Sequence, residues 1–450
     1  MSFRGRTEGI GGVPQFFKVP QEWGIRGLID LKQRLLNTRY AEGTNDMIRL
    51  EQIKHLAEST PSKIIFLVMD GLGGLPHPDT GKTELESARR PNLDRLAKDG
   101  ICGMSTTVSA GITPGSAPGH LAIFGYNPLE PKYQIGRGVL EALGIGFALK
   151  DGDLAIRGNF CSIDKAGLIT DRRAGRIPTE KCDKLCAKLS KIKVKGVETF
   201  VRPVKEHRFV LVFRGKKFYS DINDTDPQKL GATPLTAVPN QSSAKATASM
   251  VNEFLDTARK ALANEHPANM VLLRGFSKYP PEVPPMSEVF KLKPAAIAVY
   301  PMYRGLAKVV GMDILQAGST IKDEFSAVAK HYDKYDFFFI HIKGTDSAGE
   351  DGDFARKVSV IEEVDRELPR VIDLKPDVIV VTADHSTPAL LKGHSWHPVP
   401  FLLCSKWCRR DSVQEFCESA CAHGALGVFP ATDIIPLALA NALKLDKYGA

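Results

Sequence analysis

Three short apolar runs, each closing on a carboxylate, constrain the fold of this chain more than any other feature. Lys63-Ile64-Ile65-Phe66-Leu67-Val68-Met69 ends at Asp70-Gly71. Tyr335 to Ile342 ends at Lys343-Gly344-Thr345-Asp346, and Asp377 to Thr382 ends at Ala383-Asp384-His385. Runs this short and continuous are the pattern of strands buried on both faces of a parallel sheet. The stretch Phe354 to Leu368 reads as a helix between the last two, so these are βαβ units and the sheet is expected to be largely parallel. Ligands of open parallel sheets bind beyond the carboxyl ends of the strands. Asp70, Asp346 and Asp384, far apart in sequence, are therefore expected to converge.

A chain of 450 residues exceeds what one core accommodates, and two domains are expected. An α/β core over 63–127 and 294–445 would be interrupted by an α+β insert over 128–293. Within the insert, Arg208 to Phe213 followed by Arg214-Gly215-Lys216 reads as a hairpin of a half-solvated antiparallel sheet. Residues 1–62 read as an N-terminal extension without an assigned role, holding one helix, Gly27 to Leu36, and an amphipathic run from Met47 to Leu56 that is an alternative start. The net charge of +8 is spread along the chain, without the dense basic block of a nucleic-acid arm, and suits a small anionic substrate. No apolar run approaches the ~20 residues that span a bilayer.

Eight cysteines without a preceding secretory leader read as thiols of a reducing cytoplasm. Cys182/Cys186, Cys404/Cys408 and Cys417/Cys421 share an offset that would stack each pair on a helical face, and zinc is one reading. Zinc spacing is usually tighter, and Cys404 closes a strand-like run, Phe401-Leu402-Leu403, so core packing is the preferred reading.

The chemistry sits in two places. Ser116 lies in Gly111-Ile112-Thr113-Pro114-Gly115-Ser116-Ala117-Pro118-Gly119-His120-Leu121, a turn that can present a hydroxyl at a helix N-terminus, where anions are favoured; such a serine can equally be a cap. His385, His394 and His397 gather imidazoles near the third strand end. Carboxylates with imidazoles suit Mn²⁺, Zn²⁺ or Mg²⁺, the carboxylates pulling toward harder ions. The acids from Asp346 to Asp353 read as ligands or, alternatively, as a solvated helix start.

Seven motifs then coincide: Met69-Asp70-Gly71-Leu72-Gly73-Gly74, Pro114-Gly115-Ser116, Phe124-Gly125-Tyr126-Asn127-Pro128, Gly136-Arg137-Gly138, Asp171-Arg172-Arg173-Ala174-Gly175-Arg176, Asp224-Thr225-Asp226-Pro227 and Thr382-Ala383-Asp384-His385-Ser386-Thr387-Pro388. In this order they resemble the archaeal-type cofactor-independent phosphoglycerate mutases of the alkaline phosphatase superfamily, from about Lys63 to the C-terminus. The resemblance implies an alkaline-phosphatase-like three-layer α/β core with an inserted, substrate-binding α+β cap. It implies a glycolytic and gluconeogenic enzyme that interconverts 3-phosphoglycerate and 2-phosphoglycerate through phosphorylated Ser116, without 2,3-bisphosphoglycerate, under a closing cap that retains glycerate.

Two divalent ions are implied, Mn²⁺ or Mg²⁺ foremost, with Zn²⁺ or Co²⁺ as alternatives. Asp70, Ser116, Asp384 and His385 would hold one; Asp346, Glu350 and His394 the other. Arg137, Arg157, Arg172, Arg173 and Arg176 are the candidates to clamp carboxylate and phosphate, followed by Lys343, Arg304, His120, Asn159 and His207. The chain departs from the family where it has Glu350 for a usual histidine, His397 for a commoner aspartate, and Ala117 where an aspartate often follows the serine. His397 is the candidate to make up the missing imidazole. Glu350 keeps a phosphatase or homoserine-kinase-like phosphotransferase open as an alternative, beside a non-catalytic binding protein, and a homo-oligomer is left open.

Overall fold

The computed structural model describes residues 49–215, 217–279 and 281–449, and the chain from Leu50 onward is one compact unit. The helix expected at 27–36 and the alternative start at Met47 lie outside the described residues. Residues 50–62, placed in the extension by sequence, pack onto the main core: Leu50 and Ile53 lie against it, and Glu58 N donates to Lys444 O at 2.8 Å.

Eight strands form the main sheet: β1 (Ile64–Met69), β2 (Ile101–Thr106), β8 (Pro294–Ala298), β9 (Asp313–Ile314), β10 (Phe337–Ile342), β11 (Val378–Thr382), β12 (Val399–Ser405) and β13 (Val428–Pro430). Their order is β13-β2-β12-β11-β1-β10-β8-β9, and β12 alone runs against its neighbours. Every residue of β1, β10 and β11 is buried. Alternation splits their side chains between two faces. Phe66, Val68, Phe337, Phe339 and Val380 join the helices Ser116–Ile123, Pro301–Val309 and Ile434–Asn441. Ile65, Leu67, Phe338, Ile340 and Val381 join the helices Pro91–Asp99, Ile321–His331 and Phe354–Glu367. The result is the expected three-layer α/β core.

Between β2 and β8 the chain builds a second, antiparallel sheet from β3 (Leu154–Ile163), β4 (Ile169–Asp171), β5 (Glu198–Lys205), β6 (Arg208–Arg214) and β7 (Met270–Lys278). The antiparallel reading of β6 holds, but two parts of it are corrected. Its hairpin partner is the preceding β5, joined through Glu206-His207, and β6 itself is not half solvated: Phe209 to Phe213 are all buried, while β5 keeps exposed positions. Leu154, Ile156, Phe209 and Leu211 pack on the helices Thr179–Leu189 and Lys245–Leu262, while Ala155, Val210 and Val212 face the main core.

The helix Arg137–Gly144, assigned to the insert by sequence, packs through Val139, Leu140 and Ala142 into the main core. It meets the helix Pro301–Val309 so closely that a Cβ on Gly305 would stand 1.8 Å from Leu140 O. All eight cysteines are free; Cys182 and Cys186 stack at 3.9 Å within the insert's core, as packing predicts. Among the described residues no helix is long and apolar enough to cross a membrane.

Candidate active site

Asp70 directly follows β1, Asp384 and His385 follow β11, and Asp346 sits in the first turn of the helix Gly344–Asp351 after β10. The strands end at one level, so these groups meet. Two clusters result, Asp70/Asp384/His385 and Asp346/His385/His394, with the donor atoms of each within 4.8 Å of one another. His385 joins them: Nε2 lies 3.2 Å from both Asp70 Oδ1 and Asp384 Oδ2, while Nδ1 lies 4.0 Å from Asp346 Oδ1. His394 stacks on His385 with ring centroids 3.6 Å apart and places Nε2 3.5 Å from Asp346 Oδ1.

Ser116 is the first residue of its helix, with Oγ 3.4 Å from His385 Nε2. Close approach puts it there. A Cβ at Gly119 would stand 2.2 Å from Asp384 O, so only glycine lets this helix settle onto the loop that carries Asp384.

All three aspartates are wholly buried, and such charges need partners. Burial opposes ionisation of Asp70, but the Lys343 ammonium and the imidazoles of His341 and His385 outweigh it and hold the carboxyl well below the usual range. His341 Nε2 and Lys343 Nζ each lie 3.1 Å from Asp70 Oδ2, and Lys343 also bonds Asp346. Burial lowers the His385 imidazole, yet Asp384, Asp70 and Asp346 overcome it and raise its pKa to about 9. Even so, Asp70 Oδ1 and Asp384 Oδ2 have no hydrogen-bond partner. Two orphaned carboxylate oxygens around one imidazole nitrogen and one hydroxyl are the donor set of a divalent cation, and the residues fit one. Behind them the buried Lys357 ammonium donates to Gly73 O at 3.0 Å and Thr387 O at 2.9 Å, tying the two ligand-bearing loops together.

A cleft of about 510 Å³ opens from this rim. Its core side carries Ser116, Lys343, Asp346 and His394; its insert side carries Arg137, Arg157, Arg172, Arg173, Arg176, Asn159 and His207. Arg157 is buried, and its pKa is lowered to about 10, chiefly by that burial against the pull of Glu141. Burial, then Arg208, Arg157, Arg173 and Arg176, push His207 down to about 3, so this wall is strongly electropositive.

Asp70, Asp384 and His385 lie in the clusters behind the cleft lining, and three further sequence-derived candidates lie neither on the cleft nor in a cluster. His397 binds Ser395 Oγ at 3.0 Å and stacks on Trp396, outside both clusters, because its loop turns the ring away. His120 is fully buried behind Asp384, 3.1 Å from its Oδ2, and bonds Ser116 O at 2.8 Å. Arg304 is not among the residues that line the cleft, although Tyr303 beside it is. Glu350 stands at the rim, about half exposed, its Oε1 3.9 Å from His394 Nε2. Sequence reading missed Glu141, Arg208, Arg274 and Tyr303 on the walls and His341 behind Asp70. The basic ones belong to strands whose facing only the second sheet settles.

Carboxylates and imidazoles fit to hold a cation, beside a hydroxyl and facing a wall of guanidinium groups, define a class of metal-dependent enzyme that acts on a phosphorylated substrate. The sequence model of 2,3-bisphosphoglycerate-independent phosphoglycerate mutase matches residues 97–269. A relative from Aquifex aeolicus, described as a probable enzyme of that name, is 50% identical over 89% of this chain and 100% of its own length. One from Thermotoga maritima, described likewise, is 50% identical over 89% of this chain and 99% of its own. Among solved structures, a Pyrococcus horikoshii protein aligns with a TM-score of 0.75 at 29% identity, covering 87% of this chain and 100% of that one. The cofactor-independent phosphoglycerate mutase of Thermoplasma acidophilum aligns with a TM-score of 0.64 at 30% identity, covering 85% and 100%. The chain belongs to the 2,3-bisphosphoglycerate-independent phosphoglycerate mutase family.

Proposed function

We infer that this chain interconverts 3-phosphoglycerate and 2-phosphoglycerate through phosphorylated Ser116, holding glycerate in the cleft and using no 2,3-bisphosphoglycerate. The observation that carries this reading is Ser116 Oγ at a helix N-terminus, 3.4 Å from His385 Nε2, facing a cleft whose far wall is arginine. Asp70, Asp384, His385 and Ser116 would hold one divalent cation; Asp346, His394 and Glu350 would hold a second. The carboxylates favour Mn²⁺ or Mg²⁺. Bound there, such cations screen phosphoryl charge and make a hydroxyl a better nucleophile at neutral pH.

The residues of the chain account for the remaining requirements. Ser116 Oγ bonds to phosphorus as the bond to the glycerate oxygen breaks, and that oxygen regains the proton the serine hydroxyl gives up. Guanidinium groups of the insert keep hold of the carboxylate while glycerate turns. Its other hydroxyl then attacks phosphorus, and Ser116 is restored. Helix N-terminal amides at Ser116 favour the phosphorylated state.

The assay is 2-phosphoglycerate formation from 3-phosphoglycerate with Mn²⁺, read beside free phosphate. Wild type is expected to give isomer with little phosphate, and Ser116→Ala to lose on the order of a thousandfold or more in turnover. Phosphate as the main product would turn the reading to a phosphatase.

A further inference from the structure

Glu141 is out of place among the guanidinium groups of the insert wall. It sits on the helix Arg137–Gly144, 1% exposed, and lines the cleft. Its Oε1 lies 3.8 Å from Arg157 Nε, too far for a hydrogen bond, and its Oε2 has no partner at all. Arg157, 9% exposed, has an unpartnered Nε, and Arg208 Nε and Asn159 Oδ1 are unpartnered as well. Each such buried group left unpaired costs about 1–3 kcal/mol, so this wall is built to be completed by something that binds.

The kinds of orphan say what that is. Arg157 and Arg208 need acceptors, which a carboxylate or phosphate supplies. Glu141 repels either anion and needs a donor. A hydroxyl beside a carboxylate answers both at once, and the opposite wall, with Ser116, Lys343 and His394, is left to the phosphoryl group. Position is fixed by packing: Leu140, next to Glu141, is buried in one cluster with Ala155 of β3, two residues before Arg157 on the same face.

We propose that Glu141 is a specificity-determining residue whose free oxygen accepts the hydrogen of the unphosphorylated hydroxyl of the bound hydroxy acid, while Arg157 beside it takes the carboxylate. The assignment rests on the mutase reading and deepens it. It makes the site one that rejects phosphorylated acids lacking that hydroxyl, because they would leave Glu141 buried and unpaired.

The test is calorimetric binding to the Mn²⁺-loaded enzyme of 3-phosphoglycerate and of 3-(phosphonooxy)propionate, the same molecule without its hydroxyl. Wild type is expected to prefer 3-phosphoglycerate by about 30-fold or more. In Glu141→Met the ratio is expected to fall to about threefold, and Glu141→Gln, which keeps an acceptor oxygen, to lie between. A wild-type ratio near one overturns the proposal, as does an unchanged ratio in the folded Met variant. Should the Met variant not fold, an unchanged ratio in Glu141→Gln overturns it instead. Tight, selective binding without 2-phosphoglycerate formation would sink the mutase reading and leave Glu141 in place; normal turnover with a ratio near one would do the reverse.

Discussion

Asp226 receives both arms of Arg172, with Nε to Oδ1 at 2.9 Å and Nη2 to Oδ2 at 2.7 Å, and its Oδ2 also meets Arg274 Nη1 at 3.5 Å. Burial opposes its ionisation, but the Arg172 bond and the Gln228 amide keep the carboxyl low, so it holds its charge and fixes the guanidinium plane. Asp226→Asn is expected to raise KM for phosphoglycerate on the order of tenfold with kcat within about threefold, by steady-state kinetics, because Arg172 is freed without being lost. The Asp-Thr-Asp-Pro motif marked this residue in the sequence; its role appears only where Arg172 folds back onto it. His341 was less legible still. Inside Phe337-Phe338-Phe339-Ile340-His341-Ile342 a lone imidazole reads as packing, and only Asp70, 271 residues away, reveals its partner.

At the scale of elements, the strand ends were readable because a continuous apolar run has few ways to fold and must stop where a charge begins. The reversed direction of β12 was not, since Phe401-Leu402-Leu403 would suit either sense. Nor was the facing of Arg157, Arg208 and Arg274, which depends on pairings among β3, β6 and β7. The tight seating of the Ser116 helix is testable: Gly119→Ala is expected to cost roughly 2 kcal/mol in urea unfolding and to weaken Mn²⁺ binding by calorimetry, since the methyl group meets Asp384 O.

On the other face, in the helix Ile321–His331, burial, then Asp323 and Glu363, push Glu324 up to about 8. The folded chain therefore keeps this proton to higher pH than the unfolded chain does, and stability is lost as pH rises from the ordinary carboxyl range toward 8. Glu324→Gln is expected to match wild type near pH ~4 and to exceed it on the order of 3 kcal/mol near pH ~8, read from urea midpoints at both.

For the molecule as a whole, the buried carboxylates of the rim predict a large response to metal. Excess Mn²⁺ is expected to raise Tm by about 3–5 °C and a chelator to reverse it, with the shift lost in Asp70→Asn, by scanning calorimetry. The second, antiparallel sheet was anticipated from Arg208 to Phe213, but that run is continuous and buried, so its exposure was misread. The division at 128 was not legible, because the helix Arg137–Gly144 beyond it serves both sheets: Leu140 is core to one and a neighbour of β3 in the other. Its backbone presses directly on that of Gly305. Backbone lies on backbone there, so a single methyl group added at Gly305 would force the two helices apart.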